Sequence, residues 1–179
     1  MERKDKPFPI IITRRCLLRK IVSGDISKIF EGLSDPKVIQ FYGVSFKTRN
    51  ETVAQMEWYN SLEESGTGIW WAVCSVDNTV FYGAVGLNNI SKTHRKAEIG
   101  FWLSPEYWGQ GIMPEVVPEI LNYGFNTLNL HRIEGVVEKE NINSKRLMEK
   151  LGFQHEGTMK DCEVKNGRFI SLDIYAMLG

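Results

Sequence analysis

Apolar residues in the middle of the chain follow two different spacings. Three runs rich in β-branched and aromatic side chains, at 69–76, 80–87 and 96–103, are separated by short polar breaks. Runs of this length and composition are typical of β-strands. From Val116 to Leu128 the apolar positions instead recur every three or four residues, the spacing of a helix that buries one face. The pattern predicts a three-stranded antiparallel meander followed by an amphipathic helix.

The junction between the third strand and this helix is a glycine turn with the sequence WGQGIM, at 108–113. A turn that leads into a helix exposes backbone N–H groups at the positive end of the helix dipole, where a phosphate can bind. Glycines remove the Cβ atoms that would keep such a ligand away from the backbone. Two glycines at a strand-to-helix junction are more often a simple turn, so an anion site here is a hypothesis that needs support from elsewhere in the chain.

The amino-terminal part of the chain predicts one strand and two helices. A strand at 15–22 precedes a helix that ends at Pro36, because the residue before a proline disfavours the helical conformation. Thr48 followed by Glu51 has the spacing of a capping box, which satisfies N–H groups at the start of a helix. We expect the second helix to run from this box to Gly66.

The carboxyl-terminal part predicts a strand at 131–138, a helix that begins near Asn141 or Asn143, and two strands at 153–161 and 168–178. A short turn joins the last two strands, which should pair antiparallel. The strand at 131–138 follows the amphipathic helix and should lie parallel to the third meander strand through a crossover connection. The whole order predicts an α/β fold with a layered sheet, whose ligand end is where strands separate beside the start of a helix.

Composition narrows the possible classes of function. At 179 residues the chain is most simply one domain, 1–179, with enough apolar residues for a core. Lys plus Arg and Asp plus Glu both number 22, so net charge gives no reason to expect nucleic acid or an anionic membrane as partner. The apolar run near the amino terminus is too short for a secretory segment, and no stretch is long enough to span a bilayer.

Cysteine and histidine usage predicts neither a disulfide framework nor a metal site. The three cysteines are far apart and form no CxxC pair, and the three histidines lack metal-ligand spacing. A reducing, cytoplasmic setting therefore fits best.

Four blocks in the second half of the chain together resemble a known family. They are AEIGFWLSPEYWGQGIM (97–113), HRIEGVV (131–137), ENINSKRLMEKLGFQHEG (140–157) and DCEVKNGRFISLDIYAML (161–178). The chain resembles the GNAT superfamily of N-acetyltransferases, and most of all the branch of the ribosomal-protein N-terminal acetyltransferases. The resemblance implies a mixed, mostly antiparallel six- to seven-stranded sheet with helices on both faces and the cofactor at the splayed strands. It also implies transfer of an acetyl group from acetyl-CoA to a primary amine, by direct attack and without an acyl-enzyme.

The resemblance assigns the glycine turn to the pyrophosphate of the cofactor. The family pattern, [Arg/Gln]-x-x-Gly-x-[Gly/Ala], falls on residues 108–113, where only Gly111 matches it strictly and both Trp108 and Met113 depart from it. Backbone N–H groups make such contacts, so the turn matters more than its side chains. The predicted pyrophosphate contacts are Gly109, Gln110, Gly111, Ile112 and Met113. The family further implies that the backbone of Phe101 and Leu103 binds the pantetheine arm.

Two glutamates are candidates for the base that must deprotonate the amine before attack. Glu163 matches a glutamate proposed as base in relatives that acetylate a protein N-terminus, and Glu98 matches a family glutamate that acts through water. A charged residue on a strand is most often only a solvated side chain, so geometry must choose between them.

The departing thiolate needs a proton or a hydrogen bond, because a free thiol has a pKa of about 8.5. Many relatives use a tyrosine on the following helix, but no tyrosine lies between Asn141 and Leu151. Ser144 stands at the matching place in this branch, with Asn141 expected to bind the pantetheine amides. The alternative is that the Ser144 hydroxyl only satisfies N–H groups in the first turn of the helix.

Three functions remain open at this level. The first is acetylation of a protein N-terminal α-amine, and the second is acetylation of a small amine such as a polyamine or an antibiotic. The third is a non-catalytic acyl-CoA-binding sensor, against which the presence of Glu163 and Ser144 argues. In each case we expect no nucleic acid, membrane or metal as partner, and either a monomer or a homodimer.

Overall fold

A computed structural model describes residues 7–179, so the charged start of the amino-terminal segment lies outside the described residues. The strands are β1 (Ile11–Ile12), β2 (Cys16–Lys20), β3 (Ile69–Ser75), β4 (Phe81–Ser91), β5 (Lys96–Leu103), β6 (Arg132–Glu138), β7 (Gln154–Lys165) and β8 (Arg168–Leu178). The helices are α1 (Ile26–Ser34), α2 (Pro36–Ile39), α3 (Val53–Ser65), α4 (Ile112–Asn122) and α5 (Ile142–Lys150).

The strands form one sheet in the order β1-β2-β3-β4-β5-β6-β8-β7. Every neighbouring pair is antiparallel except β5 and β6, which are parallel and are joined through α4. The predicted meander, the crossover and the mixed, mostly antiparallel sheet are therefore confirmed. The strand number is eight instead of the predicted six or seven. The extra strand, β1, has only two residues, too few to show an alternating pattern in the sequence.

Two apolar clusters lie on opposite faces of the sheet, because successive side chains of a strand point to opposite sides. Along β3, Trp71 and Val73 belong to the cluster that α4 covers, whereas Trp70, Ala72 and Cys74 belong to the cluster that α1 and α3 cover. All five of these side chains are buried. The expectation of helices on both faces is thus confirmed.

The two parallel strands separate soon after they begin to pair. β5 and β6 are paired only at Lys96–Arg132, Ala97–Ile133 and Glu98–Glu134, and beyond these pairs each strand continues without the other. The far half of β5 therefore keeps one unpaired edge, and α4 begins shortly beyond its end. This opening is the main feature of the fold that positions a site.

The helices differ from the prediction in three places: α2 was not predicted, α4 ends at Asn122 and is followed by a π-helical turn to Thr127, and α3 begins later than expected. One capping-box hydrogen bond forms near Thr48, since Glu51 N donates to Thr48 Oγ1 at 3.2 Å, but Glu51 Oε2 accepts from Lys47 N at 2.8 Å instead of from Thr48 N. These bonds lie in a turn that precedes α3, which begins only at Val53. The helix ends at Gly66 in the left-handed conformation, as predicted.

Candidate active site

A cleft of about 1210 Å³ opens where β5 and β6 separate. It is lined by most of the residues that the sequence singles out: Glu98, Phe101, Leu103, Gly109, Gly111, Ile112, Met113, Asn141, Ser144 and Glu163. These residues come from β5, the glycine turn, α4, the start of α5 and the β7–β8 hairpin. Of the predicted set only Gln110 does not line the cleft; its side chain instead donates to the carbonyl of Glu106 at 2.7 Å.

One end of the cleft is formed by the glycine turn, the free edge of β5 and the start of α5, and is called the glycine-turn end below. Gly109 and Gly111 both adopt positive φ, at +73° and +76°, a conformation in which other residues are strained. Gly111 is the N-cap residue of α4 and provides no side-chain cap. No described residue accepts a hydrogen bond from the N–H groups of 109–113, so these donors are available to a ligand.

The free edge of β5 presents backbone groups to the same space. Ser104 N donates to Tyr82 O of the neighbouring strand at 2.9 Å, and backbone groups along a strand alternate between its two edges. The N–H and C=O groups of Phe101 and Leu103 therefore point away from β4 and toward the opening. One of them is already engaged, because Trp108 Nε1 donates to Leu103 O at 2.8 Å. The predicted contribution of Leu103 is thereby reduced to its N–H group.

The start of α5 completes this end of the cleft. The Asn141 side chain caps the helix, with Ser144 N donating to Asn141 Oδ1 at 3.1 Å. The hydroxyl of Ser144 has no hydrogen-bond partner among residues 7–179 and lies on a cleft-lining residue. Asn141, and not the Ser144 hydroxyl, therefore provides the side-chain cap of α5, and the role of Ser144 stays a prediction.

Glu163 reaches the cleft from the β7–β8 hairpin. The pairing register of β7 shifts between Met159 and Glu163, where Asp161 adopts a φ of +48°. Glu163 faces Ile170 across the ladder and so lies on the same face of the sheet as Leu172, which also lines the cleft. Irregularities of this kind commonly redirect a side chain toward a site. The Glu163 carboxylate is exposed and has no hydrogen bond or ion pair within the described part of the chain.

Glu98 lies at the point where β5 and β6 part, on the last residue pair of their ladder. It is half-buried, and its Oε2 accepts a hydrogen bond from Asn89 Nδ2 at 2.9 Å. The two candidate bases therefore reach one cleft from different strands. The Glu98 carboxylate is held by the Asn89 amide, whereas the Glu163 carboxylate is exposed to solvent.

A second part of the cleft wall is formed by aromatic side chains and is called the aromatic end. Its members are Phe41, Tyr42, Phe46, Trp58, Trp70 and Trp102. Trp58 and Trp70 contact each other edge to face, with ring centroids 5.7 Å apart. Trp70 is buried against Gly100, where an added Cβ would lie 2.8 Å from its ring. Trp58, Trp70 and Trp102 are the tryptophans of this wall.

Polar groups at the aromatic end are donors and not bases. Burial raises the pKa of the Tyr42 hydroxyl well above its ordinary value, and it raises the pKa of Tyr59, which packs against Trp70, to about 12. Both hydroxyls are therefore protonated at neutral pH. The buried Nε1 of Trp70 has no hydrogen-bond partner among the described residues.

The charged side chains that line the cleft are Lys37, Glu98, Glu138, Lys150 and Glu163. Glu138 is paired with Lys165, whose Nζ also donates to the carbonyl of Gln40 at 2.7 Å. Both signs of charge are thus present, and the cleft is not strongly acidic.

Two parts of this site were not predicted from the sequence. The aromatic segment from Phe41 to Phe46 lies in an irregular connection, so it produced no periodic signal, although its density of aromatic residues could have drawn attention. Arg15 bonds to the carbonyl of Gln110 at 2.9 Å, and no local pattern links residues so far apart in sequence.

Within residues 7–179, no group of three or more His, Cys, Asp or Glu side chains is arranged to hold a metal ion. Over the same residues, every helix is too short or too polar to cross a lipid bilayer.

Comparison with protein families gives one match that spans most of the chain. Residues 15–154 match the family described as Acetyltransferase (GNAT) domain. An uncharacterized N-acetyltransferase, YoaA of Bacillus subtilis, is 33% identical over 172 residues, which is 96% of this chain and 97% of the relative.

Solved structures show the same fold. A spermidine N-acetyltransferase from Vibrio cholerae, solved in complex with CoA and spermine, is 26% identical with a TM-score of 0.81, covering 91% of this chain and 95% of its own. RimL, a ribosomal alpha-N-protein acetyltransferase solved with coenzyme A, is 21% identical with a TM-score of 0.85, covering 95% of this chain and 98% of its own. The second likeness is one of fold alone.

Proposed function

This chain belongs to the GNAT family of acetyl-CoA-dependent N-acetyltransferases, and we propose that its acceptor is a protein N-terminal α-amine. We further propose that the amine attacks the thioester directly, without an acyl-enzyme. The observation that carries the choice of acceptor is the mixed charge of the cleft, in which lysines and glutamates both line the walls.

The glycine-turn end fits the acyl donor. Its free N–H groups at 109–113 suit a diphosphate, because they lie at the start of α4, where the helix dipole favours negative charge. The unpaired edge at Phe101 supplies a donor and an acceptor for the amides of a pantetheine arm, in the manner of an added strand. Asn141 keeps its Nδ2 donor for a second amide, since only its Oδ1 is used in the helix cap.

The acceptor enters in this proposal from the aromatic end. A single ammonium group suits an aromatic wall, because the ring faces attract cations. A polyamine with several positive charges would meet Lys37 and Lys150, which line the same cleft, and would find Glu138 already paired. A peptide N-terminus carries one positive charge and an apolar or neutral chain behind it, which this lining accommodates better.

In the proposed mechanism Glu163 accepts the proton that the ammonium must lose before attack. An N-terminal amine has a pKa of about 8 and is mostly protonated at neutral pH, so a positioned base is needed. Glu163 is chosen over Glu98 because its carboxylate has no competing partner, whereas Glu98 already accepts from Asn89. Ser144 then donates a hydrogen bond from its free hydroxyl to the departing thiolate, and the second proton, which the nitrogen loses as the amide forms, ends on the thiolate sulfur.

An acceptor panel tests the proposal. Peptides with free N-termini, matched peptides with a blocked N-terminus and one internal lysine, and spermidine are offered with acetyl-CoA, and products are read by thiol release and mass spectrometry. We expect kcat/KM to be highest for free N-termini. Preferential turnover of spermidine would overturn the proposed acceptor, and tight CoA binding without any turnover would favour a sensor.

A small amine is the second candidate, since the chain is 26% identical to the spermidine N-acetyltransferase over nearly its whole length. Glu98 and Glu163 give such an amine two carboxylates within one cleft.

The cytoplasm is the proposed location, because Cys16, Cys74 and Cys162 are all free thiols, as expected in a reducing compartment. Whether the enzyme is a monomer or a homodimer stays a prediction.

A further inference from the structure

The short turn between β1 and β2 contacts the glycine turn through one arginine. Arg15 Nη1 donates to the backbone carbonyl of Gln110 at 2.9 Å, and Arg15 Nε donates to Glu115 Oε2 at 2.6 Å. The remaining nitrogen, Nη2, lies 3.5 Å from where a Cβ on Gly111 would be. A guanidinium group presents its donors in a fixed planar fork, so these contacts constrain the position of the turn relative to α4.

Glu115 forms the second half of this arrangement. Its Oε1 accepts from Thr13 Oγ1 at 2.6 Å and from Arg15 N at 2.8 Å. Burial of the Glu115 carboxylate opposes ionisation, but the hydrogen bonds from Thr13 and Arg15 outweigh burial and hold its pKa below the ordinary value. Glu115 is therefore ionised, and its negative charge lies in the first turn of α4, beside the N–H groups proposed to bind a diphosphate.

The bond to Gln110 has a consequence for the neighbouring N–H group. The carbonyl of Gln110 and the N–H of Gly111 belong to one peptide plane, and in a trans peptide they point in opposite directions. No cis peptide bond occurs within residues 7–179. Because Arg15 holds the carbonyl on one side, the Gly111 N–H is directed to the other side, and Gly111 lines the cleft.

The side chain of Trp108, at the start of the glycine turn, does not hold the Gln110 peptide in place. Trp108 stands where the family pattern has Arg or Gln, and its indole N–H is directed back to the carbonyl of Leu103. Nor does Gln110 face the cleft, since its amide donates to Glu106 O. The cation beside the turn comes instead from Arg15, in a segment about a hundred residues earlier in the chain.

We propose that Arg15 is a positioning residue for diphosphate binding. It fixes the Gln110 peptide so that the Gly111 N–H faces the ligand, and it neutralises Glu115, which would otherwise repel the phosphates. The proposal rests on the glycine turn as the diphosphate site, a point that Gly111→Asp tests.

The test compares Arg15→Ala with Arg14→Ala. Arg14 is the adjacent, exposed arginine and has no hydrogen bond or ion pair among the described residues, so its removal controls for net charge. Calorimetry with CoA should show about tenfold weaker binding for Arg15→Ala, the loss expected from one charge-assisted hydrogen bond, and an unchanged Kd for Arg14→Ala. Arg15→Lys, which keeps the charge but not the fork, should recover only part of the loss.

Two further measurements separate positioning from stability. S-acetylpantetheine lacks the diphosphate, so its KM should be equal in wild type and Arg15→Ala if Arg15 acts on the diphosphate loop. The double variant Arg15→Ala with Glu115→Ala should bind CoA better than Arg15→Ala alone, because the uncompensated carboxylate is gone. Circular dichroism establishes that each variant is folded, and Arg15→Lys serves if Arg15→Ala is not.

A lower melting temperature with an unchanged Kd for CoA would show a purely structural role and overturn the proposal. An equal loss with S-acetylpantetheine would also overturn it. None of these measurements depends on which amine the enzyme acetylates. The inference about Arg15 can therefore fail while the proposed N-terminal acceptor stands, and the reverse also holds.

Discussion

The two ends of the cleft present different parts of the chain to a ligand. At the glycine-turn end the groups that face the opening are backbone N–H and C=O groups, held by the turn at Gly109 and Gly111 and by the free edge of β5. At the aromatic end they are side chains, which α2, α3 and the connection between them bring against β3 and β5. Backbone recognition depends on chain geometry, whereas side-chain recognition depends on which residues happen to meet. Ligand binding at the glycine-turn end should therefore be weakened by changes in backbone geometry or local charge. Binding at the aromatic end should be weakened by changes in shape or in a single side chain.

The largest effect should come from Gly111→Asp, at the backbone end. The substitution places a residue unsuited to a φ of +76° in the proposed diphosphate site, and Arg15 Nη2 lies 3.5 Å from the added Cβ. The added carboxylate both repels the phosphates, at a cost on the order of 4 kcal/mol for unit charges about 4 Å apart near a protein surface, and competes for Arg15, so CoA affinity measured by calorimetry should fall by about 10³-fold.

Gly167→Asp is the matched control, because Gly167 has almost the same φ, +75°, but lies in the β7–β8 turn with open space around it. It should carry the same backbone strain and leave the Kd for CoA unchanged. Unaltered CoA binding in a folded Gly111→Asp protein would remove the glycine turn from the diphosphate site.

The next effect concerns Glu163→Gln, which removes the proposed base. At low pH, where an amine of pKa about 8 arrives protonated, kcat/KM should fall by roughly 10³-fold, within the range for a positioned general base. As pH rises above the amine pKa the free amine becomes abundant, and the deficit should shrink. A pH–rate profile measured with a free-N-terminus peptide checks this.

Glu98→Gln is measured beside it, and Glu119→Gln on the exposed face of α4 controls for the loss of one negative charge. If Glu163→Gln and wild type give parallel profiles while Glu98→Gln is impaired at low pH, the base is Glu98.

The sequence predicts the glycine-turn end of the cleft but not the aromatic end, because it encodes local geometry and not the contacts between distant residues. The WGQGIM turn, the Asn141 cap and the strand at 96–103 are local features, in which neighbours along the chain fix the geometry. The contacts of Trp70 with Trp58 and Gly100 have no such local signal, because the fold brings these residues together from different elements. The bond from Arg15 to Gln110 spans 95 residues and has no sequence signature.

Ser144→Ala tests the one side chain at the glycine-turn end that is proposed to take part in the reaction. With the Ser144 hydroxyl free and Asn141 as the cap, removing the hydroxyl should lower kcat by about 10²-fold and leave the melting temperature and the Kd for CoA nearly unchanged. Asn141→Ala, by contrast, should lose about 1 kcal/mol of stability through the cap. Normal kcat for Ser144→Ala would mean that water or another group protonates the thiolate.

The smallest effect should come from Gly100→Ala, which tests shape at the aromatic end. A Cβ at Gly100 would lie 2.8 Å from two ring atoms of Trp70, so the indole must move and the wall of the cleft changes. Overpacking of this kind costs about 1–3 kcal/mol, and we expect a lower melting temperature together with a several-fold higher acceptor KM. Gly157→Ala is the control, because no atom lies within 4 Å of its added Cβ. The Kd for CoA should be the same in both variants and in wild type, since the Gly100 side of β5 that meets Trp70 belongs to the aromatic end. If Gly100→Ala weakened CoA binding as much as it raised the acceptor KM, the two ends would not be separable, and the contrast between backbone and side-chain recognition would fail.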